Sequence, residues 1–273
     1  MSKILSNRMT MLKTSVVTLT TAFALWCSQA FALADTIVLQ PSANTTLINI
    51  APDNNLGGAD FFNAGTTGTG HANRALLYYD LSSALPPGVI ITSAQLSLSI
   101  VRQPNNGLQH SLFSVRRMFQ SWGEGGQNFG ESGPGLGSPA AAGEATWNHR
   151  FSGSTAWSQP GGLEGVDYSA VLSSTEQVGT IGDDIIFESR PELVADVQAW
   201  FDGTAPNFGW MVLTESEAVN RTARSFASRE SGFGPELTIN FVTVPEPSVL
   251  SLAGLFLFGL GFFACRRRAP TSR

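Results

Sequence analysis

The stretch Ala94-Gln95-Leu96-Ser97-Leu98-Ser99-Ile100 decides the fold class. Apolar residues occupy every second position and polar residues the positions between, so the two sets point to opposite faces of an extended chain. The alternation predicts a half-buried β-strand with one face on a core and the other in water.

Short runs of apolar and β-branched residues between turn residues predict further strands on both sides of this stretch. They cover residues 36–39, 46–48, 61–64, 74–80, 110–118, 167–173, 184–188, 210–214, 224–230 and 237–241. One helix is predicted over 191–201, because Pro191 suits a first helical position and Gly203 the position after a helix end. The sequence therefore predicts an all-β fold, an antiparallel β-sandwich of the jelly-roll type with one short helix.

Residues 119–165 do not follow this pattern. The segment is rich in glycine, and only 145–148 reads as a strand within it. A loop this long inside a compact domain is usually functional or mobile, so we expect a binding function to lie here.

The first 34 residues predict an export signal. A basic start is followed by a short apolar stretch, 15–26, and by an A-x-A cleavage site at Ala32 and Ala34. The body of the protein is then residues 35–243.

The last 30 residues, 244–273, predict a membrane-anchored tail. Residues 249–265 carry no charge, and as a helix they would rise about 25 Å, enough to cross a thin bilayer. The basic residues Arg266, Arg267 and Arg268 would then stay on the cytoplasmic side.

This tail resembles the PEP-CTERM sorting signal of exopolysaccharide-making Gram-negative bacteria. It has the three parts in order: Pro245-Glu246-Pro247, the apolar segment 249–265 and the basic end. The resemblance implies recognition by an exosortase-type processing enzyme, with the protein held in the membrane and then displayed or released at the cell surface.

The charge of the body limits its partners. It has nine arginines, no lysine and 20 acidic residues, so nine minus 20 gives a net charge of −11. This argues against binding nucleic acid and is compatible with neutral glycans, cationic partners or calcium. Cys27 and Cys265 both lie outside the body, which therefore has no disulfide.

The body resembles the DNRLRE domain, a jelly-roll module of secreted and surface proteins, some of whose relatives bind polysaccharide. The matching pieces lie, in order, at 53–57, 74–81, 94–96, Trp122 with Glu124, 145–148, Trp157, Trp200, 207–210 and 224–230. The last piece stands where the motif that names the family lies, and only its Arg229-Glu230 end is literal. The resemblance implies a jelly-roll fold and, by extension, polysaccharide binding.

Two sets of side chains are candidates for binding a carbohydrate. Arg74, Arg224 and Arg229 could grip an acidic sugar, because a guanidinium pairs bidentately with a carboxylate. The alternative, which we favour, is that some of them pair internally with Asp80 or Glu230.

The tryptophans of the long segment are the second set. Trp122 and Trp157 could form a stacking platform for pyranose rings. We expect Trp147 and Trp200 to pack in the core. For Trp122 and Trp157, core packing and sugar stacking are equally expected.

The sequence predicts no cofactor. Structural calcium is the one inorganic partner that we considered. Asp53 and Asp60 flank an acidic turn that could hold calcium, although a plain Asx turn is favoured because the EF-hand spacing is absent. The histidines are too scattered for a zinc site, and nucleophile and phosphate-loop motifs are missing from the sequence.

The sequence therefore predicts a non-enzymatic, exported protein that binds extracellular polysaccharide. A purely structural matrix role is the alternative, and the two differ because binding requires Trp122 and Trp157 to be exposed together. A jelly-roll lyase or hydrolase is the third reading, for which Tyr168 and His149 are the nearby candidates.

Overall fold

The computed structural model describes residues 34–129, 133 and 135–243, and Ala34–Val242 form one compact unit. Strand accounts for 41% of the described residues and helix for 7%, and the main sheet is antiparallel and curled. The prediction of a mostly-β fold with one helix among these residues is confirmed.

Fifteen strands are present in the described part of the chain. They are β1 Ala34–Leu39, β2 Ala43–Ile48, β3 Asn54–Asn55, β4 Phe61–Thr66, β5 Ala72–Tyr78, β6 Val89–Arg102, β7 Ser111–Arg117, β8 Ser138–Pro139, β9 His149–Phe151, β10 Thr155–Ala156, β11 Ser174–Val178, β12 Asp184–Phe187, β13 Trp210–Thr214, β14 Arg224–Ala227 and β15 Glu236–Thr243. Helix α1 spans Pro191–Phe201.

Eleven of these strands form the main sheet. Its order is β1-β15-β6-β14-β4-β5-β13-β7-β11, with β12 also paired to β6 and β2 to β5. The remaining strands make two small pairs, β9 with β10 and β3 with β8. The strand order places β5 and β13 near the middle of the sheet. Because many neighbouring strands are distant in sequence, the sheet brings residues from several parts of the chain together.

The alternating stretch 94–100 is the middle of β6. Ala94, Leu96, Leu98 and Ile100 are buried, and the polar residues between them are half-exposed. The pattern of the sequence is thus the burial pattern of the strand, because side chains alternate between the two faces of a sheet.

The central strands β5 and β13 are buried on both faces. Leu77 and Trp210 belong to the first core, which the helix also contacts, whereas Leu76 and Met211 belong to a second core on the other face. The second core consists of Leu47, Leu76, Met118, Ala145, Trp147, Trp157, Tyr168, Met211 and Leu213.

Residues 119–168, which we call the covering segment, supply four members of this second core. Its tryptophans and Tyr168 pack on the outer face of β2, β5 and β13. Much of this segment therefore forms a second packing layer on the sheet. The binding function expected of 119–165 stays a prediction.

Helix α1 covers one side of the first core. Leu193, Val197 and Trp200 are buried at the spacing of one helix face, as the sequence predicts. Asp196 lies on the same buried face, where its carboxylate accepts hydrogen bonds from Ser173 Oγ and Trp210 Nε1. Burial raises the pKa of Asp196.

Two predicted strands are wrong. Residues 145–148 turn around Trp147, with Thr146 N donating to the His149 carbonyl, and the strand begins only at His149. Residues 167–173 are also not a strand, because the Asp167 carboxylate accepts from Leu163 N and from Ser158 and so stabilises a turn.

Strands at two other places differ from their predicted bounds. The sequence at Ser174–Val178, which is too polar to predict a strand by pattern, forms β11 at the edge of the sheet beside β7. The stretch 224–230 is a strand only to Ala227. Ser228 then caps a 3-10 turn, Arg229–Ser231, by accepting a hydrogen bond from Glu230 N.

Gly209, at the entry to β13, offers a test of this packing. Its φ is +74°, and a Cβ there would lie 1.9 Å from the Leu77 carbonyl oxygen of the neighbouring strand. We expect Gly209→Ala to lower the free energy of unfolding by about 3 kcal/mol or more, because the backbone of β5 cannot move aside without breaking its pairing.

Gly203→Ala is the matched control. Gly203 has φ +66° but no atom within 4 Å of the Cβ site, so its substitution measures the backbone strain alone, about 1 kcal/mol. Urea denaturation of both variants measures the difference. Equal losses would show that the contact between residue 209 and β5 does not constrain the fold.

Candidate functional site

A groove of about 220 Å³ opens at the end of β5, beside the entry to β13. We call it the Trp122 groove. It is lined by Ala43, Tyr78, Ser121, Trp122, Asn207 and Phe208. Its volume is below the roughly 300–1,000 Å³ of pockets that enclose a drug-sized ligand, so it has room for a single small ring.

Three aromatic side chains from separate elements meet in this groove. Tyr78 ends β5, Phe208 precedes β13, and Trp122 comes from the covering segment; all three are half-buried. Trp122 Nε1 donates to the Phe208 carbonyl at 2.9 Å, and Asn207 Nδ2 donates to the Tyr79 carbonyl at 2.8 Å. These bonds fix the two loops against the sheet and hold the aromatic groups in place.

The polar group that the groove offers is the Tyr78 hydroxyl. Tyr78 is one of the residues that line the groove, and its side chain is half-buried. Burial, and then the charge of Asp80, raises the pKa of Tyr78, so its hydroxyl stays protonated at neutral pH and can both donate and accept.

Trp157 does not lie in this groove. It is only 4% exposed, packs in the second core, and donates from Nε1 to the Thr146 carbonyl at 2.9 Å. Trp122 and Trp157 are therefore not exposed together in this structure. Trp147 and Trp200, expected in the core, are buried at 8% and 7% exposure.

Arg74 is held by an internal pair. Its Nε and Nη2 atoms each lie 2.7 Å from a carboxylate oxygen of Glu217, and its Nη1 donates to the carbonyls of Gly161 and Gly162. The guanidinium also lies 5.4 Å from the ring centre of Trp147 and 5.6 Å from that of Tyr168. The expected internal pairing is present, but its partner is Glu217 and not Asp80 or Glu230.

The other two candidate arginines lie apart from Arg74. Arg224 is 1% exposed and donates to the carbonyls of Gly179, Thr222, Ala223 and Leu108. Burial lowers the pKa of Arg224. Its guanidinium therefore bridges backbone segments and does not face solvent.

Arg229 is the most exposed of the three and pairs with two carboxylates. Its Nη2 lies 2.9 Å from Glu230 and 3.1 Å from Glu124. Glu124 also accepts from Asn44 N at 2.8 Å, next to Ala43 of the Trp122 groove. Burial is the largest influence on Glu124 and raises its pKa.

The acidic turn is an Asx turn of the expected kind. Asn55 Oδ1 accepts from Gly57 N at 2.8 Å, and Asp53 accepts from Asn148 Nδ2. Asp60 is exposed. Across residues 34–129, 133 and 135–243, no group of three or more His, Cys, Asp or Glu side chains is arranged to hold a metal ion.

Tyr168 and His149, the two residues considered for lyase or hydrolase chemistry, differ in their burial. Tyr168 is 4% exposed, and burial raises its pKa. His149 is half-buried at the start of β9, where its backbone N donates to Thr146 Oγ1.

Several predicted features fall outside the described residues. These are Ala32 of the cleavage site, the tripeptide 245–247, the apolar segment 249–265 and the basic residues 266–268. Ala34 is the first residue of β1 and pairs with Val242. No helix among the described residues is long and apolar enough to span a membrane.

The reasoning from sequence found Trp122 but missed Tyr78, Ser121, Asn207 and Phe208 as its neighbours. Only the position of Tyr78 carried a signal, because it falls on the face of β5 opposite to Leu77 and Tyr79. The others join the groove through long-range pairing that no local pattern records.

Comparison with known proteins adds no assignment. No family model matches the chain, and no curated protein matches it significantly. The two family resemblances stated above consequently remain expectations drawn from the residues quoted for them.

The Arg74 cluster gives a stability prediction. Arg74→Met leaves the Glu217 carboxylate without its partner and removes the bonds to residues 161 and 162, so we expect a loss of about 3 kcal/mol in the free energy of unfolding. Urea denaturation measures this loss. The double variant Arg74→Met/Glu217→Leu should recover part of it, because no unpaired charge remains; an equal loss in both would contradict a pairing role.

Glu124 gives a pH prediction. Its pKa is raised in the folded protein, so its ionised form costs stability, and this cost disappears as the pH falls through the raised pKa towards the ordinary value of 4.5. Lowering the pH from 7 should therefore stabilise the native sequence relative to Glu124→Gln. Denaturation at a series of pH values measures this, and a constant difference between the two proteins would refute the assignment.

Proposed function

We propose that this protein is an exported, non-catalytic surface or extracellular-matrix protein whose jelly-roll β-sandwich binds polysaccharide through the Trp122 groove. The observation that carries this proposal is the meeting of Tyr78, Trp122 and Phe208 around one open groove. Half-buried aromatic groups held by hydrogen bonds present flat apolar surfaces at low entropic cost, which suits the C–H faces of sugar rings.

The proposed site contains fewer of the predicted carbohydrate-binding residues than the sequence analysis assigned to it. Trp122 is retained, whereas the burial of Trp157 and the internal bonds of Arg74 and Arg224 leave those side chains without a free binding surface. Arg229 remains half-exposed, beside Glu124 and Glu230. Because Glu124 and Glu230 balance the charge of Arg229, this part of the surface favours a neutral glycan over an acidic one.

The localisation belongs to the same proposal. A signal peptide over 1–34 and a PEP-CTERM-like tail over 244–273 would export the chain, anchor it in the membrane through 249–265 and present it to an exosortase-type enzyme. The body would then be displayed at the cell surface, where polysaccharide is present.

A purely structural matrix role is the second candidate. It is favoured by the extent of internal pairing, since Arg74, Arg116, Arg117 and Arg229 all pair with carboxylates. A chain whose arginines pair internally in this way is suited to stable packing in an extracellular layer.

A substitution at Trp122 distinguishes the two candidates. Trp122→Ala removes one aromatic wall, so we expect binding of the purified full-length protein to a neutral polysaccharide such as dextran, or to the exopolysaccharide of its host, to weaken about tenfold or more. Phe208→Ala should have a similar effect. Tryptophan fluorescence titration, with and without calcium, measures the affinity.

Phe233→Ala is the matched control, because Phe233 is 80% exposed and lies outside the groove. It should leave the affinity unchanged. If the folded native protein binds no polysaccharide, or if all three variants bind equally well, the groove proposal fails and the structural role is preferred.

A further inference from the structure

A second cavity, of about 240 Å³, lies on the chain apart from the Trp122 groove. We call it the Arg102 cavity. Phe61 and Asn63 of β4 line it two residues apart on the same face, Ser225 lies opposite Asn63 on β14, and Arg102 lies opposite Ser225 on β6. Asn73 of β5 completes this part of the lining.

The Arg102 guanidinium has no carboxylate partner within the described residues. It lies over the ring of Phe61 at 4.2 Å from the ring centre, and the side chain is exposed. Arg74, Arg116, Arg117 and Arg229 each pair with a carboxylate, whereas Arg224, which also lines this cavity, donates to backbone carbonyls. The cavity therefore has a positive charge at its edge that no carboxylate in the described chain neutralises.

The floor of the cavity holds a polar group in need of a partner. Asn73 is 5% exposed, and its Oδ1 atom has no hydrogen bond within the described residues. Turning the amide over exchanges Oδ1 and Nδ2 but leaves a buried polar group equally unsatisfied. Because such a group costs about 1–3 kcal/mol, a ligand that bonds it would recover that free energy.

Asn63 adds an amide group to the lining. Its Oδ1 accepts from Ser225 Oγ at 2.7 Å, so its NH₂ group is left to face a ligand. Phe61, Ile50 and Pro104 supply apolar walls. The cavity thus offers a cation, an amide donor, a buried acceptor and an apolar wall.

We propose that the Arg102 cavity binds one carboxylate-bearing, hydroxylated ring unit. The carboxylate accepts from the Arg102 guanidinium and a ligand hydroxyl donates to Asn73 Oδ1. The unit is either a free sugar acid or one residue of an acidic polysaccharide, since both present the same groups. This second site does not depend on the Trp122 groove.

Calorimetric titration of the purified full-length protein tests the proposal with three small probes. Glucuronate and glucose differ chiefly in the carboxylate, and acetate has the carboxylate without the ring hydroxyls. We expect glucuronate to bind about tenfold or more tighter than either of the other two. Equal binding of glucose and glucuronate, or binding of neither, would overturn the proposal. A glucuronate polymer, run in parallel, tells whether a chain can occupy the cavity or only the free acid.

Two variants and one control locate the site. Arg102→Gln should weaken glucuronate binding about tenfold while leaving glucose unchanged. Asn73→Leu should also weaken glucuronate binding, yet without loss of thermal stability, because it removes the unpaired amide. Arg190→Gln, at an exposed arginine outside the cavity, should change neither.

The outcome is distinguishable from failure of the Trp122 groove. If Trp122→Ala abolishes glucuronate binding and Arg102→Gln does not, the acid occupies the Trp122 groove and the present proposal is wrong while the proposed function stands. If Arg102→Gln alone abolishes it, the second site is established whether or not the groove binds a neutral glycan.

Discussion

The fold depends on the hydrogen bonds and the ion pair that the Arg74 guanidinium makes. The largely buried Arg74 guanidinium, which lies near the rings of Trp147 and Tyr168, loses much of its hydration, a cost that can be offset only if its donors are bonded. Glu217 takes two of them and the carbonyls of Gly161 and Gly162 take others, so one side chain of β5 joins the turn after β13 to the covering segment. Burial opposes the charge of Arg74, but the bonds to Glu217 outweigh it, and the pKa of the guanidinium is raised.

The second core follows from the burial of β5 and β13 on both faces. A central strand with polar residues on its outer face would need no cover, whereas β5 and β13 place Leu76 and Met211 there. The covering segment brings Trp147, Trp157 and Tyr168 against those side chains. Its three buried aromatic side chains are not available as a free binding surface, whereas Trp122 lies beside the Trp122 groove.

The elements that the sequence predicts well are those whose stability comes from a repeating pattern. The alternation over 94–100 and the apolar stripe over 191–201 correspond to faces that are buried in the structure, because each pattern repeats with the period of its own backbone. The covering segment has no such period. It is held by individual bonds such as Asn55 Nδ2 to the carbonyls of Glu124 and Ala145, which join residues 69 and 90 positions apart.

The candidate sites were predictable only in part for the same reason. Trp122 is recognisable as a large aromatic residue among glycines, but the sequence does not distinguish it from Trp157, whose indole N–H is satisfied by Thr146 in the second core. The Arg102 cavity was not foreseen at all. Arg102, Ser225 and Asn63 become neighbours through strand pairing across more than 100 residues, and an unpaired Asn73 is visible only once its surroundings are known.

Charge sets a limit on how an acidic ligand could be recognised by such a protein. The body carries a net charge of −11, so its long-range field repels anions, and attraction at distance cannot guide them to Arg102. Recognition must then come from short contacts at the exposed Arg102 guanidinium, which salt weakens, while the same salt reduces the repulsion from the rest of the body over a Debye length of about 10 Å at 0.1 M. These two effects oppose one another, so an anion held at Arg102 should depend on ionic strength far less than one held by a basic surface.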